Sequence, residues 1–332
     1  MVILDHHYQH ENVYRHADFS GDSLKLAKYY DNLDAEFIVF LGVHSMADVA
    51  DILNRPEQNV ILPDLAAGCS MADMANLTKV ERSYCELNKV LDFDETIILI
   101  TYINSAADLK AFCGEHGDIV CTSINAPKIL DWGFKHREKV LFFLDQNLGR
   151  WTGRKMGIPL EEMPIWDPDL PMGGLTEEKI KNAKVLLWKG HCAVHQMFRP
   201  QSIEQFRKEH PDGQVISHPE SPFDVCLNSD FVGSTENILN TIKAAEPGTK
   251  WLVVTELNLV TRLAEEMKAE NKHVQFMSHV ICECSTKARI NPQHLAWCLE
   301  NLIKDNIVNQ ITVPAEEAVL AKLTLDRMLA AS

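Results

Sequence analysis

Short runs of consecutive apolar residues alternate with amphipathic stretches along most of the chain. The runs are predicted to be strands and lie at 37–40, 60–62, 97–100, 119–121, 140–143, 185–188, 215–216 and 251–254. Residues 257–268 carry apolar side chains at helical spacing, and Ser202 with Gln205 forms a capping-box pattern that predicts the start of another helix. Continuous apolar strands alternating with helices predict parallel α/β sheets, which bind ligands at the carboxyl ends of their strands.

Polar residues repeat in the same order three times along the chain. Each repeat has a pair of polar residues after a strand, then a hydroxyl residue, then a cysteine. The members are His6, Tyr8, Ser23 and Cys69 in the first third, Tyr102, Asn104, Ser123 and Cys192 in the second, and His218, Glu220, Ser234 with Thr235, and Cys284 in the last. The first polar residue and the hydroxyl residue are 17, 21 and 17 residues apart, and the hydroxyl residue and cysteine are 46, 69 and 49 apart.

These spacings predict three α/β units of the same plan that meet about a pseudo-threefold axis. The expected boundaries are 1–92 for the first repeat, 93–211 for the second, and 212–332 for the third, which ends in a C-terminal helix. The longer spacing in the middle repeat is explained by a Pro-rich insertion at 150–174, which is predicted to be a long surface loop or a lid.

The polar pairs are each spaced i, i+2, which in extended chain places both side chains on one face. Proline at 219 favours an extended conformation for His218 before it. We therefore expect all three pairs to point into one cavity. The hydroxyl residues are predicted to lie where helices begin, and helix N-termini suit phosphate groups, although ordinary N-capping explains a single such residue equally well. His7 and His10 have no counterparts in the other repeats and are predicted to be solvated.

The cysteines suggest a metal centre. Cys192 and His195 form Cys-x-x-His, which alone is half of a zinc site. Cys282 and Cys284 are two residues apart, so only one of them is expected to bind. No second tight pair follows at zinc-finger spacing, and three cysteines favour an iron–sulfur cluster with one open iron over structural zinc.

Composition restricts the partners. The chain has 332 residues, nine cysteines and a net charge of −15, which argues against nucleic acid and anionic membranes. An odd number of cysteines without a secretory signal fits a reducing compartment, so a cytoplasmic location is expected. No apolar run has the length of a bilayer span.

Several phrases together resemble the quinolinate synthase family, in its longer subgroup. They include Asp5-His6-His7-Tyr8-Gln9, Gly68-Cys69-Ser70-Met71-Ala72-Asp73, Tyr102-Ile103-Asn104, Cys121-Thr122-Ser123, Lys189-Gly190-His191-Cys192-Ala193-Val194-His195, His218-Pro219-Glu220, Gly233-Ser234-Thr235 and Thr255-Glu256. The resemblance covers nearly the whole chain, and it implies three Rossmann-like, three-layer αβα domains around a central active site. It implies condensation of iminoaspartate with dihydroxyacetone phosphate to quinolinate, phosphate and water in NAD biosynthesis.

The resemblance also implies the site. A [4Fe–4S] cluster is expected on Cys69, Cys192 and Cys284, with its open iron as a Lewis acid. Catalysis is expected from Glu220, His218, Tyr8 and Tyr102, and substrate binding from His6, Ser23, Tyr102, Asn104, Ser123, His195, His218, Glu220 and Thr235. L-Aspartate oxidase, which supplies iminoaspartate, is expected as a transient partner.

One departure from the family motif concerns the metal centre. Lys287 stands where the family usually has Met, which would place a cation near the cluster. Two alternatives to a synthase remain: a non-catalytic iron–sulfur regulatory or binding protein of the same fold, and a zinc hydrolase using Cys69, Cys192, Cys284 and a water.

Overall fold

The computed structural model describes residues 1–30, 33–278 and 283–332, so Cys282 lies outside the described residues. The strands in chain order are β1 Val2–His6, β2 Phe19–Gly21, β3 Phe37–Leu41, β4 Asn59–Ile61, β5 Ile97–Tyr102, β6 Ile119–Cys121, β7 Lys139–Phe142, β8 Ile165–Trp166, β9 Val185–Trp188, β10 Gln214–Ser217, β11 Phe231–Val232, β12 Lys250–Val254, β13 His273–Phe276 and β14 Gln310–Ile311. Every strand predicted from an apolar run is present, with ends shifted by at most two residues.

The α-helices in chain order are α1 Glu11–Tyr14, α2 Ser23–Tyr30, α3 His44–Leu53, α4 Leu77–Leu87, α5 Phe93–Thr96, α6 Ala107–Glu115, α7 Ala126–His136, α8 Gln146–Lys155, α9 Glu177–Asn182, α10 Pro200–Glu209, α11 Phe223–Asn228, α12 Thr235–Ala244, α13 Leu257–Lys268, α14 Pro292–Leu302 and α15 Ala315–Ala331. Short 3₁₀ helices lie at Ala72–Met74, Leu160–Glu162, Pro171–Gly174, His195–Met197 and Lys287–Arg289.

The chain divides into two compact units. Unit 1 consists of Met1–Cys69 and Cys192–Thr312, and unit 2 of Ser70–His191 and Val313–Ser332. Unit 1 contains a five-stranded sheet in the order β14-β4-β3-β1-β2 and a four-stranded sheet in the order β11-β10-β12-β13. Unit 2 contains a five-stranded sheet in the order β6-β5-β7-β9-β8. All neighbouring strands are parallel except β14 and β4.

Alternation along the strands explains how helices cover both faces of a sheet. In β12, Leu252 and Val254 belong to one buried cluster with Phe198 and Phe206, whereas Trp251 and Val253 belong to a second cluster with helices α12 and α13. Successive strand residues point to opposite faces, so each face buries its own apolar layer. The fold class is therefore α/β with Rossmann-like αβα layers, as predicted. The three domain boundaries and the pseudo-threefold axis stay predictions.

Two local predictions were wrong. Helix α10 begins at Pro200 after the N-cap Arg199, so Ser202 lies inside the helix and forms no capping box. Proline at the first helical position, where no N–H is needed, sets this earlier start.

The insertion at 150–174 is also not a structureless loop. It contains the end of α8 and strand β8, which pairs with β9, and Trp166 is fully buried and donates to Ser83 Oγ at 2.9 Å. Its prolines precede or begin short elements, including the 3₁₀ helices at 160–162 and 171–174, rather than interrupting them.

Candidate active site

Two strands of unit 1 are each followed by a turn of the same type, which begins at a histidine. After β1, Gln9 N donates to His6 O at 3.0 Å, and Tyr8 N donates to His6 Nδ1 at 3.3 Å. After β10, Ser221 N donates to His218 O at 3.0 Å, and Glu220 N donates to His218 Nδ1 at 3.3 Å. His6 with Tyr8 and His218 with Glu220 therefore lie in tight turns. The extended conformation predicted from their i, i+2 spacing was wrong.

The turns still bring each pair together, but by a different geometry. A turn satisfies the backbone groups that a parallel strand leaves unpaired at its end, and Pro219 has the fixed φ that the second position of a turn requires. The rings of His6 and Tyr8 contact edge to face, with centroids 4.8 Å apart.

The Tyr8 hydroxyl connects the two sheets of unit 1. It lies 3.0 Å from Thr235 Oγ1 and 2.8 Å from Thr255 Oγ1. Burial, and secondarily the Glu220 carboxylate, raises the pKa of Tyr8 well above its usual value. The phenol therefore stays neutral and can donate a hydrogen bond at any physiological pH.

A histidine pair and a carboxylate lie beside this hydroxyl network. The rings of His195 and His218 stack with centroids 4.6 Å apart, and Glu220 Oε2 lies 3.2 Å from His195 Nδ1 and 3.8 Å from His218 Nδ1. The contact between His195 and Glu220 lacks hydrogen-bond geometry. Burial lowers the pKa of His218 to about 3, so its ring is neutral. A buried carboxylate next to the neutral His218 ring can accept a proton from a bound group.

The three predicted metal ligands all belong to unit 1. Cys69, Cys192 and Cys284 belong to no disulfide and are half-buried in loops that follow β4, β9 and β13. Burial raises the pKa of the Cys192 thiol well above its usual value, and Glu220, Cys69 and Cys284 lie close enough to raise it further. Cys192 and Cys284 also pack against the same apolar cluster. Cys69 and Cys284 therefore lie near Cys192 within unit 1.

The hydroxyl residues do not all begin helices. Ser23 is the first residue of α2, and Ser234 caps α12 by accepting from Asn237 N at 3.4 Å. Thr235, the first residue of α12, is left to contact Tyr8. Ser123, however, precedes α7 by three residues, because the Asn125 side chain accepts from Thr122 N at 2.6 Å and delays the helix.

Three predicted site residues belong to unit 2. Tyr102 ends β5 and is buried, and Ser105 N donates to Tyr102 O at 2.8 Å, which is the same turn bond seen after His6 and His218. Asn104 is half-buried inside this turn, and Ser123 lies in the turn before α7.

Comparison with known proteins identifies the family. The model of a family described as quinolinate synthetase A protein matches residues 1–330. The chain belongs to the quinolinate synthetase A family. It is 49% identical to a quinolinate synthase of Rhodopirellula baltica, over 99% of this chain and 86% of that protein. It is 50% identical to quinolinate synthases of Corynebacterium glutamicum and Herpetosiphon aurantiacus, over 99% of this chain and 83% and 88% of theirs.

The donor set of this family member fits a soft metal group. Three thiols that approach one another suit iron–sulfur clusters, and they do so in a half-buried setting that limits water. A second, mixed set overlaps with it, because ligand atoms of Cys192, His195 and Glu220 lie within 4.8 Å of one another. That set would accept zinc. No helix of the described residues has the length and apolar character to cross a membrane.

Two residues that contact the site, Thr255 and Glu256, were part of the family resemblance but were given no role from the sequence. Thr255 Oγ1 contacts both Tyr8 OH at 2.8 Å and His195 Nε2 at 3.1 Å. Glu256 accepts from Cys284 N at 3.4 Å and from Asn258 N at 2.8 Å, so it caps α13 and positions a predicted metal ligand. Both follow β12, and this position at a strand's carboxyl end was the available signal.

The prediction for His7 was wrong. His7 is buried and lies 2.7 Å from Glu236 through its Nε2 atom, whereas His10 is exposed and caps α1 as a surface residue. The partner of His7 is 229 residues away, so no local pattern could indicate it.

Proposed function

We propose that this chain catalyses the quinolinate synthase reaction, a transferase reaction that condenses iminoaspartate with dihydroxyacetone phosphate to give quinolinate, phosphate and water. The observation that carries the proposal is the approach of three half-buried cysteines, none of them in a disulfide, beside Glu220 in one compact unit. The names of the relatives support the same activity.

The proposed cofactor is a [4Fe–4S] cluster on Cys69, Cys192 and Cys284. When bound by three cysteines, such a cluster has one iron without a protein ligand, and this iron supplies Lewis-acid chemistry toward substrate oxygen or nitrogen. The backbone bond from Cys284 N to Glu256 supports the placement of one ligand.

Glu220 is the proposed general base, with His218 beside it. Its carboxylate is buried next to two imidazoles, His195 and His218, and water is largely excluded. A base in this setting can remove the protons that enolisation and dehydration require. Tyr8, kept neutral by burial, donates a hydrogen bond and orients the intermediate.

The remaining predicted residues have binding roles in this proposal. His6 and His195 contact carboxylate or hydroxyl groups of the substrates, and Ser23, Ser123 and Thr235 bind the phosphate, which later leaves. Tyr102 and Asn104 position the intermediate from their turn after β5. A cytoplasmic location and transient contact with L-aspartate oxidase remain predictions.

The test is an assay of the anaerobically reconstituted protein with both substrates. Quinolinate should form only when iminoaspartate and dihydroxyacetone phosphate are both present, together with one phosphate per quinolinate. Zinc-loaded protein is the matched control and should be inactive. Iron-loaded protein that forms no quinolinate would leave the regulatory alternative, and activity that follows zinc would favour a hydrolase at the Cys192, His195 and Glu220 set.

A further inference from the structure

Lys287 is buried in the candidate site, although lysine side chains usually lie at the protein surface. It begins the 3₁₀ helix Lys287–Arg289, one turn after Cys284, and Ala288 N donates to Cys284 O at 2.9 Å. Only 6% of Lys287 is exposed. Its Nζ atom lies 2.8 Å from His6 Nδ1 and 4.6 Å from the centroid of the Tyr8 ring.

These contacts determine the protonation of His6. Nδ1 faces two groups that donate, the Lys287 ammonium and the Tyr8 backbone N–H at 3.3 Å, so Nδ1 must accept. The ring proton is therefore on Nε2. Burial, and then the Lys287 charge, lowers the pKa of His6 well below its usual value, so the ring stays neutral. His6 thus offers one fixed N–H donor.

Lys287 has no directly paired carboxylate among residues 1–30, 33–278 and 283–332: the side chain forms no salt bridge there, and it contacts His6 and Tyr8 instead. The carboxylates of Asp5 and Glu256 are near enough for Lys287 to lower their pKa values, but burial raises both. Glu256 is occupied by backbone N–H groups, and the oxygens of Asp5 have no hydrogen-bond partner in the described part of the chain.

A buried ammonium without a paired carboxylate lowers the free energy of unfolding, because burying an unpaired charge is unfavourable. A bound anion would remove this cost. The candidate site receives substrates that carry carboxylate and phosphate groups. An anionic oxygen group placed against Lys287 and the His6 Nε2–H would supply the missing charge and accept the free donors.

We propose that Lys287 is a positioning and specificity-determining residue, which fixes the His6 tautomer and binds an anionic oxygen group of the substrate or product together with His6. This inference rests on the proposed function, since it assigns the ligand to the same reaction. The neutral thioether of Met could neither fix the His6 tautomer as a charged donor nor attract an anion.

Binding of two anions by the anaerobic, cluster-loaded protein tests the inference. Calorimetry should be performed with inorganic phosphate and with pyridine-2,3-dicarboxylate, for the wild-type protein, Lys287→Met and Lys287→Arg. Lys272→Met is the matched control, because Lys272 is also buried in unit 1 but donates to Lys243 O at 2.6 Å and to Glu270 at 2.7 Å, away from the site residues.

Lys287→Met should raise the Kd of at least one anion by roughly tenfold or more, the loss expected for one charge-assisted hydrogen bond. Lys287→Arg should restore most of the affinity, and Lys272→Met should leave Kd unchanged. Weakening of phosphate alone assigns the group as phosphate, and weakening of the dicarboxylate alone assigns it as a carboxylate. If Lys287→Met holds less iron than the wild type, Lys287→Gln, which keeps a polar end of similar length, replaces it.

The inference is overturned if Lys287→Met binds both anions as tightly as the wild type while retaining the same iron content. It is also overturned if the wild-type protein binds neither anion. When the wild type forms quinolinate but Kd is unchanged by Lys287→Met, only this inference fails. When the wild type forms no quinolinate, the proposed function fails and the inference fails with it.

Discussion

The turns after β1 and β10 share a backbone but differ in the charge that faces their histidine. Both turns use the same two hydrogen bonds, so Nδ1 of His6 and of His218 accepts from the backbone N–H two residues later. His6, however, contacts the Lys287 ammonium, whereas His218 lies near the Glu220 carboxylate and stacks on His195. A repeated fold element thus presents one cationic and one anionic environment, which suits anion binding on one side and proton transfer on the other.

Removing the Glu220 carboxylate, which lies near His218, should have the largest effect on kcat. Glu220→Gln keeps the size and the backbone turn but cannot accept a proton, so we expect a loss in kcat of roughly a thousandfold. Iron and sulfide content should not change. Steady-state assays should include Glu265→Gln, a change of an exposed glutamate on α13, as the control. Activity within tenfold of the wild type would remove Glu220 from the role of base.

Thr255 connects the turn after β1 with the residues around His218, and its substitution should have the second largest effect. Its hydroxyl contacts Tyr8, in the turn after β1, and His195, which stacks on His218 from the turn after β10. Thr255→Val has nearly the same shape but leaves both partners with one contact fewer, so kcat should fall by roughly tenfold. Thr261→Val is the matched control, because Thr261 on the exposed side of α13 bonds only the backbone of Leu257. An unchanged kcat in Thr255→Val would show that this hydroxyl network does not position the reacting groups.

The smallest expected effect is on stability at mildly acidic pH. Burial lowers the pKa of His218 to about 3 in the folded protein, so below the ordinary histidine pKa the unfolded chain binds the proton that the folded chain excludes. Stability from this group is therefore complete above about pH 7 and lost as pH falls. Between about pH 7 and 5.5 the wild type should lose about 1 kcal/mol of unfolding free energy relative to His218→Gln.

Urea denaturation of both proteins across this pH range measures the difference. The two curves of unfolding free energy against pH should diverge toward acid. Parallel curves would mean that His218 titrates normally and is not held neutral by burial. His6→Gln should change the curve in the same direction, because the pKa of His6 is also lowered by burial.

Features determined by local pattern could be predicted from the sequence. The apolar strands and the helix at 257–268 were found because each buries a continuous or periodic set of side chains, and the helix Leu257–Lys268 begins directly after its Glu256 cap. The three cysteines were predicted as ligands because each has the same place in the repeated order of polar residues, and the family resemblance implied the same three.

Contacts between distant segments could not be predicted. Lys287 and His6 are 281 residues apart, and His7 and Glu236 are 229 residues apart, so their spacing indicates nothing about a contact. The insertion was misjudged because its prolines suggested irregular structure, whereas the burial of Trp166 against Ser83 orders it. The turn geometry of the polar pairs was missed because i, i+2 spacing fits both a strand and a turn.

The central claim is that Cys69, Cys192 and Cys284 hold one iron–sulfur cluster beside Glu220. Iron and acid-labile sulfide per chain, measured after anaerobic reconstitution, test it most directly. The wild type and Cys85→Ser, a change of an exposed cysteine in unit 2, should hold about four of each, and Cys192→Ser should lose most of both. Zinc in place of iron, or full iron and sulfide in Cys192→Ser, would contradict the account.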